Sequence, residues 1–552
     1  MPIRSKKGPV SNMPTLSLIG AGSHQAAPSP DTDMPRVSNE KCRRWTIVGE
    51  PEVFFDFDPE AVRRMLRRVD MRLLPVLAIA YLAACVSRVN IGNARLEMRG
   101  LSIVGDQFSW ILSVFFFGYI VFEAPANILL QHVQPHRWIS ASIALWGTIT
   151  LLTGFATNAP VLIAVRFFQG VAQAGILPGI VGYLSLWYTR EEQATRMALI
   201  LAVTPFANTI SGLLDFGIAS GLSNIGGLGG WSWIFIFEGL FALVLSTFTF
   251  LLLSRNPLQT TWLTPTDREI LLARLEQDDE HRAFSVGAGE GEHFRDARRD
   301  WKVWFYAAIA LTWGISAHAM SLSLPTIVLR MGMGVETVQW MSAIPGIVAT
   351  VISLLILLSS SLFKERGIHT AFAGILVRLS ITAYTSLVPR SNITDTFSIH
   401  ANPQGIIGYI LLISFWNKDP YNQYGALIVA FTGVFAVLPI LLSWVTVNIG
   451  GRAKRTIASA IILTASNVGG AVGAHLYRSE SSSIGIWQEI DFERPHTISG
   501  VSLGMAVMLV AMLKALFAHE NARRDRLTAE EYKREAAGHP HDDIHPSFRY
   551  TT

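Results

Sequence analysis

The sequence predicts an all-α membrane protein with twelve transmembrane helices arranged as two six-helix halves. Half of its 552 residues are hydrophobic, only 16% are charged, and mean hydropathy is +0.36. Apolar runs near the roughly 20 residues that a helix needs to cross a bilayer recur along the chain. They come as six, a polar interval, and six more.

Residues 1–66 form a polar N-terminal segment carrying Lys6, Lys7, Arg43 and Arg44. It lacks the apolar stretch of about 7–15 residues that a cleavable signal peptide requires, so the first spanning helix is expected to direct insertion. The N-terminal half, 67–254, holds apolar spans at 72–91, 107–130, 137–156, 160–187, 196–221 and 232–253. A linker at 255–301 contains "TPTDREILLARLEQDDEH", where Thr266 is placed to cap a short amphipathic helix with Glu269 at the capping-box position. The glycines of "SVGAGEGEH" mark a loop after it. The C-terminal half, 302–519, holds spans at 303–328, 336–362, 368–416, 424–447, 455–476 and 497–518; residues 520–552 form a short tail.

The ninth span is interrupted by a polar stretch, 389–404, which cannot cross hydrocarbon as irregular backbone. Deleting 377–404 joins "HTAFAGIL" to "GIIGYILLIS" and restores one apolar run. The codons allow this origin: Val-Arg can be written GTACGT, Thr-Asp can contain CTGAC, and Gln can be CAG, as in a fungal intron's start, branch point and end. Residues 377–404 are therefore read as a retained intron, which transcript sequencing tests.

Orientation follows from lysine and arginine. Arg63, Arg64, Arg67, Arg68 and Arg72 precede the first span; Arg137, Arg190, Arg196, Lys364, Arg366, Arg452, Lys454 and Arg455 occupy the even-numbered turns, and Arg523, Arg524 and Arg526 the tail. The loops at 157–160 and 220–231 contain neither residue, although Arg95 and Arg99 depart from the rule. Both termini are expected in the cytoplasm, with the protein in the plasma membrane.

The net charge of +4 does not point to nucleic acid, because the basic residues sit in short clusters between apolar runs. Cys42 and Cys85 cannot build a disulfide framework or a four-ligand zinc site, so no metal or cofactor is expected. An enzyme is the weakest class, since no Walker loop, His-rich cluster or nucleophile triad is present. A nutrient sensor usually carries a larger cytoplasmic extension. Periodicity alone also leaves a channel or a receptor open.

Local motifs decide between these. "RRVDMRLLPVLAIAYLAACVSRVNIGNARL" at 67–96, "FFGYIVFEAPANILL" at 116–130, "RFFQGVAQAGILPGIVGYLSLWY" at 166–188, "GLGGWSWIFIFEGL" at 227–240 and "SWVTVNIGGRAKRTIASAIILTASNVGGAVGAHLYRSE" at 443–480 stand in five separate helices. Over roughly 60–520 the chain resembles the anion:cation symporter family of the major facilitator superfamily, in particular fungal allantoate, nicotinate and vitamin permeases. The resemblance implies a major-facilitator fold whose halves rock around a midplane site. It also implies secondary active transport of a small organic anion, usually with protons, by a protein expected to be a monomer in the bilayer.

Two positions depart from the family. Its first-helix pattern Asp-Arg-x-Asn-Ile-Gly-Asn-Ala has Ser87 in place of the acid, and its fourth-helix pattern Gly-x-Ala-Glu-Ala-Gly becomes "GVAQAG" with Gln173. In relatives that glutamate is implicated in proton coupling and that aspartate can pair with a fourth-helix arginine. Arg88 and Arg166 remain, so an uncoupled uniporter, an exchanger or an exporter stands as the alternative. An arginine at the bilayer centre costs about 2.5–3.5 kcal/mol on insertion scales. A substrate carboxylate is read as the missing counter-ion of Arg88 and Arg166, against the alternative that Arg88 reaches the outer headgroups or bonds carbonyls in its own bundle.

Tyr119, Ser443 and Asn467 complete the candidate substrate site; the last two match family positions near the central cavity. Glu123, Asp215, His318 and the Gln173 position are the coupling candidates. Each has a plainer reading: Glu123 and Glu238 as structural groups, Asp215 at the outer rim of the fifth helix, His318 as a satisfied packing histidine. Gly469, Gly470 and Gly473 are read as points of close helix approach.

Overall fold

A computed structural model describes residues 58–94, 98, 103, 106–222, 225–258, 260–280, 290–363, 411–412, 420–450, 452–477, 493–537, 543 and 545–551. The first helix, α1 (Pro59–Ala94), begins with proline at N1, where its missing N–H costs nothing, and with the Asp58 carboxylate accepting the backbone N–H groups of Glu60 and Ala61. It therefore starts before the predicted span, and its first turns carry Arg63, Arg64, Arg67 and Arg68 outside the apolar run.

The other N-terminal helices are α2 (Gln107–His132), α3 (Pro135–Thr153), α4 (Ala159–Gln173), α5 (Ile176–Leu184), α6 (Arg190–Ala202), α7 (Phe206–Leu222) and α8 (Gly230–Leu252). The fourth and fifth predicted spans thus each consist of two helices in series. Pro178 lacks the N–H that would reach back to Ala174, and Pro205 does the same between α6 and α7.

The linker forms α9 (Pro265–Glu280) and α10 (Glu290–Arg299). Its cap is Thr264, whose hydroxyl accepts the Asp267 N–H at 3.1 Å, not Thr266; Pro265 takes N1 and shifts the start two residues upstream. Helix α9 docks on the first half through ion pairs of Arg68 with Asp267 and of Arg274 with Glu192, the latter at 2.6 Å. Beside it, Arg196 donates to both Asp70 carboxylate oxygens, at 3.1 and 2.9 Å, and Tyr188 donates its hydroxyl to the same group at 2.7 Å.

The second half comprises α11 (Trp301–Arg330), α12 (Val335–Met341), α13 (Ala343–Phe363), α14 (Pro420–Phe435), α15 (Val437–Asn448), α16 (Arg452–Gly473) and α17 (Glu493–Asp525), followed by the tail helix α18 (Ala529–Ala536). Among the described residues, ten helical spans are long and apolar enough to cross a membrane. The proposed intron, 377–404, lies outside the described residues, as does most of the ninth span.

Close backbone approach builds each half. A Cβ on Gly170 would press into the Phe115 carbonyl, and one on Gly118 into that of Phe167, so α2 and α4 touch along their backbones. Between α11 and α16, Gly469 meets the Leu311 carbonyl and Gly473 that of Ile315, whereas Gly470 faces the Phe116 ring of the other half. The halves also meet where the end of α1 approaches α11, at Gly92 and Leu322, and where Thr209 on α7 donates to the Ala343 carbonyl at 2.8 Å.

The tail folds back over the second half. Asp543, fully buried, pairs with Lys302 and, at 3.0 Å, with Lys454; Asp300 lies 2.8 Å from Lys454. Tyr550 stacks on Phe517 with centroids 4.7 Å apart, and Trp444 donates to the Thr551 carbonyl at 2.6 Å. Removing one member of a buried ion pair leaves its partner uncompensated, at a cost of about 3–5 kcal/mol. Asp543→Asn is therefore expected to lower the melting temperature of the purified full-length protein by several degrees, and an unchanged value would separate this contact from stability.

Candidate functional site

Helical spacing gathers polar groups onto facing stripes. On α1, Ser87, Asn90 and Asn93 recur every third residue with Arg88 beside them; on α2, Phe115, Tyr119 and Glu123 recur every fourth. On α4, Arg166, Gln169 and Gln173 share one face, as do Trp146 and Thr150 on α3. The close packing of α2 on α4 at Gly118 and Gly170 sets Phe115 against both cations. The Arg88 guanidinium lies 5.4 Å and that of Arg166 5.0 Å from the Phe115 ring centroid, and Arg88 lies 5.0 Å from the Tyr119 centroid.

The direct partners of the arginines are neutral. Arg88 Nε donates to Gln173 Oε1 at 2.9 Å. Arg166, 1% exposed, donates through Nη1 to Gln169 Oε1 at 2.6 Å and to the Ser87 carbonyl at 3.4 Å, while its Nε is buried without a partner among the described residues. Among the described residues neither arginine takes part in an ion pair. Ser87 and Gln173, where the resemblance leads one to expect acids, are thus hydrogen-bonding partners of the two arginines.

Ser87 is a hub. Its hydroxyl accepts from Trp146 Nε1 at 2.9 Å and from Gln169 Nε2 at 2.6 Å, and it hydrogen-bonds the Glu238 carboxylate. Glu238 also accepts from Asn90 Nδ2 at 2.9 Å; Ser211 donates to Asn90, and Asn93 donates to Ser211 at 2.6 Å. Glu238 is thus the acid that faces Arg166 across Ser87. The residues that the sequence reading missed are Gln169, Trp146, Thr150, Asn90, Asn93 and Ser211. The signal for them was spacing, three or four residues from Ser87, Arg166 and one another along their helices.

Glu123 is 1% exposed and accepts the Thr464 hydroxyl at 2.5 Å, a bond from α2 to α16 that crosses between the halves. His318 bonds the Gly314 carbonyl through Nδ1 at 2.9 Å and packs edge-on against Phe116 at 4.9 Å. Asn467, on the same helix as Thr464, donates to its own Leu463 carbonyl at 2.9 Å. Asp215 is 1% exposed and lies one turn beyond Ser211 on α7. Ser443 is 4% exposed on α15, next to Trp444, which sits under the tail against Tyr306 and Phe517. The structure thus brings Arg88, Arg166, Tyr119 and Gln173 together and sets Glu123 and His318 along the interface between halves.

The family model described as Major Facilitator Superfamily matches residues 77–474. The chain belongs to that superfamily and is a multi-pass membrane transporter, which accounts for the lack of enzyme motifs. It is 29% identical over 454 residues to the "MFS transporter prlL" of Fungal sp. (strain NRRL 50135), covering 79% of this chain and 84% of that one. It is 31% identical over 315 residues to the "Putative tartrate transporter" of Agrobacterium vitis, covering 57% and 69%. A solved structure of the xylose transporter XylE from E. coli, in a partially occluded inward-open conformation, shares the fold at a TM-score of 0.57 and 11% identity, covering 80% of this chain and 97% of that one.

Proposed function

We propose that the chain is a proton-coupled secondary transporter of a small organic anion, a carboxylate of the vitamin or allantoate type, of the anion:cation symporter kind. It works by alternating access as a plasma-membrane monomer with both termini in the cytoplasm. The observation that carries the reading is the pair of guanidiniums on one phenyl ring, each bonded to neutral groups alone among the described residues. A carboxylate offers two acceptor oxygens to a planar guanidinium fork, a geometry that lysine cannot reproduce. The relative named for tartrate, itself a carboxylate, supports the same chemistry.

Gln173 favours a second reading, an uncoupled carrier, because an amide holds Arg88 where a titratable acid stands in the family pattern. Uptake of labelled nicotinate, pantothenate and allantoate in a permease-deficient yeast at two external pH values separates the readings. Saturable uptake that rises at low pH is expected. Flux independent of pH selects the uncoupled carrier, and signalling without flux selects a sensor.

A further inference from the structure

Two atoms in the arginine network lack partners among the described residues, and they are complementary. Arg166 Nε is a buried donor and Glu238 Oε1 a buried acceptor, on either side of Ser87. Protein interiors rarely leave a charged group half-satisfied. A guanidinium and a carboxylate that share one serine without closing an ion pair are a pair held apart.

We propose that Glu238 is the exchangeable counter-ion of Arg166: it yields the guanidinium when it takes up a proton, so that one proton enters with each substrate carboxylate. This rests on the anion-carrier reading above. The step balances as a carboxylate plus a proton giving a carboxylic acid, with the substrate anion taking the charge position that Glu238 gives up.

The surroundings of Glu238 leave Arg166 as the charge that acts on it. Helix α1 presents Ser87 and Asn90; α7 presents Ser211 and carries Asp215 one turn further on. At the level of Gly239, α3 presents Gly147 and Leu151, while its titratable groups, His136 and Arg137, lie at its start, with His136 beside Phe250. Arg166 reaches the network from α4. Arg88 lies beyond the Phe115 ring and is held by Gln173.

Charge balance sets the stoichiometry. Adding one carboxylate together with one proton leaves the net charge of the site unchanged, whereas adding the anion alone adds a buried charge with no compensation. Glu238 takes the position of the acid absent at Ser87, reached from α8 instead of from α1.

The test uses the full-length protein in liposomes and has two arms. In the first, infrared difference spectra between neutral and acidic pH are recorded without substrate. Wild type should gain a carboxylic acid band that Glu238→Gln lacks; no band in wild type, or the same band in the variant, overturns the proposal. In the second, uptake of labelled nicotinate, pantothenate and allantoate is compared at two pH values. One-proton coupling predicts a rise of up to about tenfold per pH unit, which Glu238→Gln abolishes and Glu238→Asp, retaining a carboxyl, restores. A Glu238→Gln protein that keeps the wild-type ratio overturns the proposal while leaving the anion carrier intact. If wild type carries none of the three probes, the functional reading fails, and the infrared arm alone decides the role of Glu238.

Discussion

Arg166→Met combined with Glu238→Gln, which removes both buried charges at once, is expected to lower uptake by about 100-fold while leaving the folded protein as stable as wild type or more so. The two effects have one cause. The Arg166 guanidinium is almost fully buried and, among the described residues, has an unpartnered Nε and makes no ion pair. Burying a cation in that state opposes folding, and exchanging buried charge for a well-packed apolar side chain is often neutral or stabilising. A charge-assisted hydrogen bond to a substrate carboxylate contributes about 1.5–3 kcal/mol, and losing the upper value gives roughly that 100-fold. Thermal unfolding and uptake measured on the same preparation check both halves of the expectation. A double variant that transports normally would remove Arg166 from the substrate site, and a large drop in its melting temperature would show that the role is structural.

Gly170→Val should have the largest effect on folding. Its Cβ would enter the Phe115 carbonyl and lie 2.9 Å from the Tyr119 N–H. Both obstacles are backbone, so no rotamer change relieves them. Overpacking of this kind costs about 1–3 kcal/mol and sometimes more, and here it also separates the helices that place Phe115 between the cations. Little folded protein is expected at the membrane, as read by fluorescence-detected size exclusion. Gly217→Ala is the control: the glycine is exposed on α7, an added methyl would meet nothing within 4 Å, and the change should be neutral or stabilising by about 0.5–1 kcal/mol. Equal loss in both variants would mean that helix propensity, not close approach, governs these glycines.

Much of the fold was legible because a bilayer restricts the backbone to helices whose length and polarity are written locally. The superfamily was readable from "SRVNIGNA" and the glycine-rich helices for the same reason. What escaped was anything set by contact across helices. That Thr264 and not Thr266 caps α9 depends on the single residue Pro265. The partners of Glu238 are hidden in "IFEGL", since nothing in its own helix reveals that α1 brings Ser87 and Asn90 against it. Nothing in the motif around Trp444 reveals that the tail packs over it. The substitutions Ser87 and Gln173, read along the chain as lost charges, become in three dimensions two of the groups that hydrogen-bond the arginines.

The Thr464 to Glu123 bond has a kinetic consequence. It joins α2 of one half to α16 of the other, so it must break whenever those helices separate and form again when they return. On the anion-carrier reading proposed above, a loaded carrier breaks it with its cations compensated by solute and an empty one does not, so the return of the empty carrier is expected to be the slow step of the cycle. Labelled solute should leave preloaded vesicles faster when unlabelled solute waits on the opposite side, and Thr464→Val should narrow that difference.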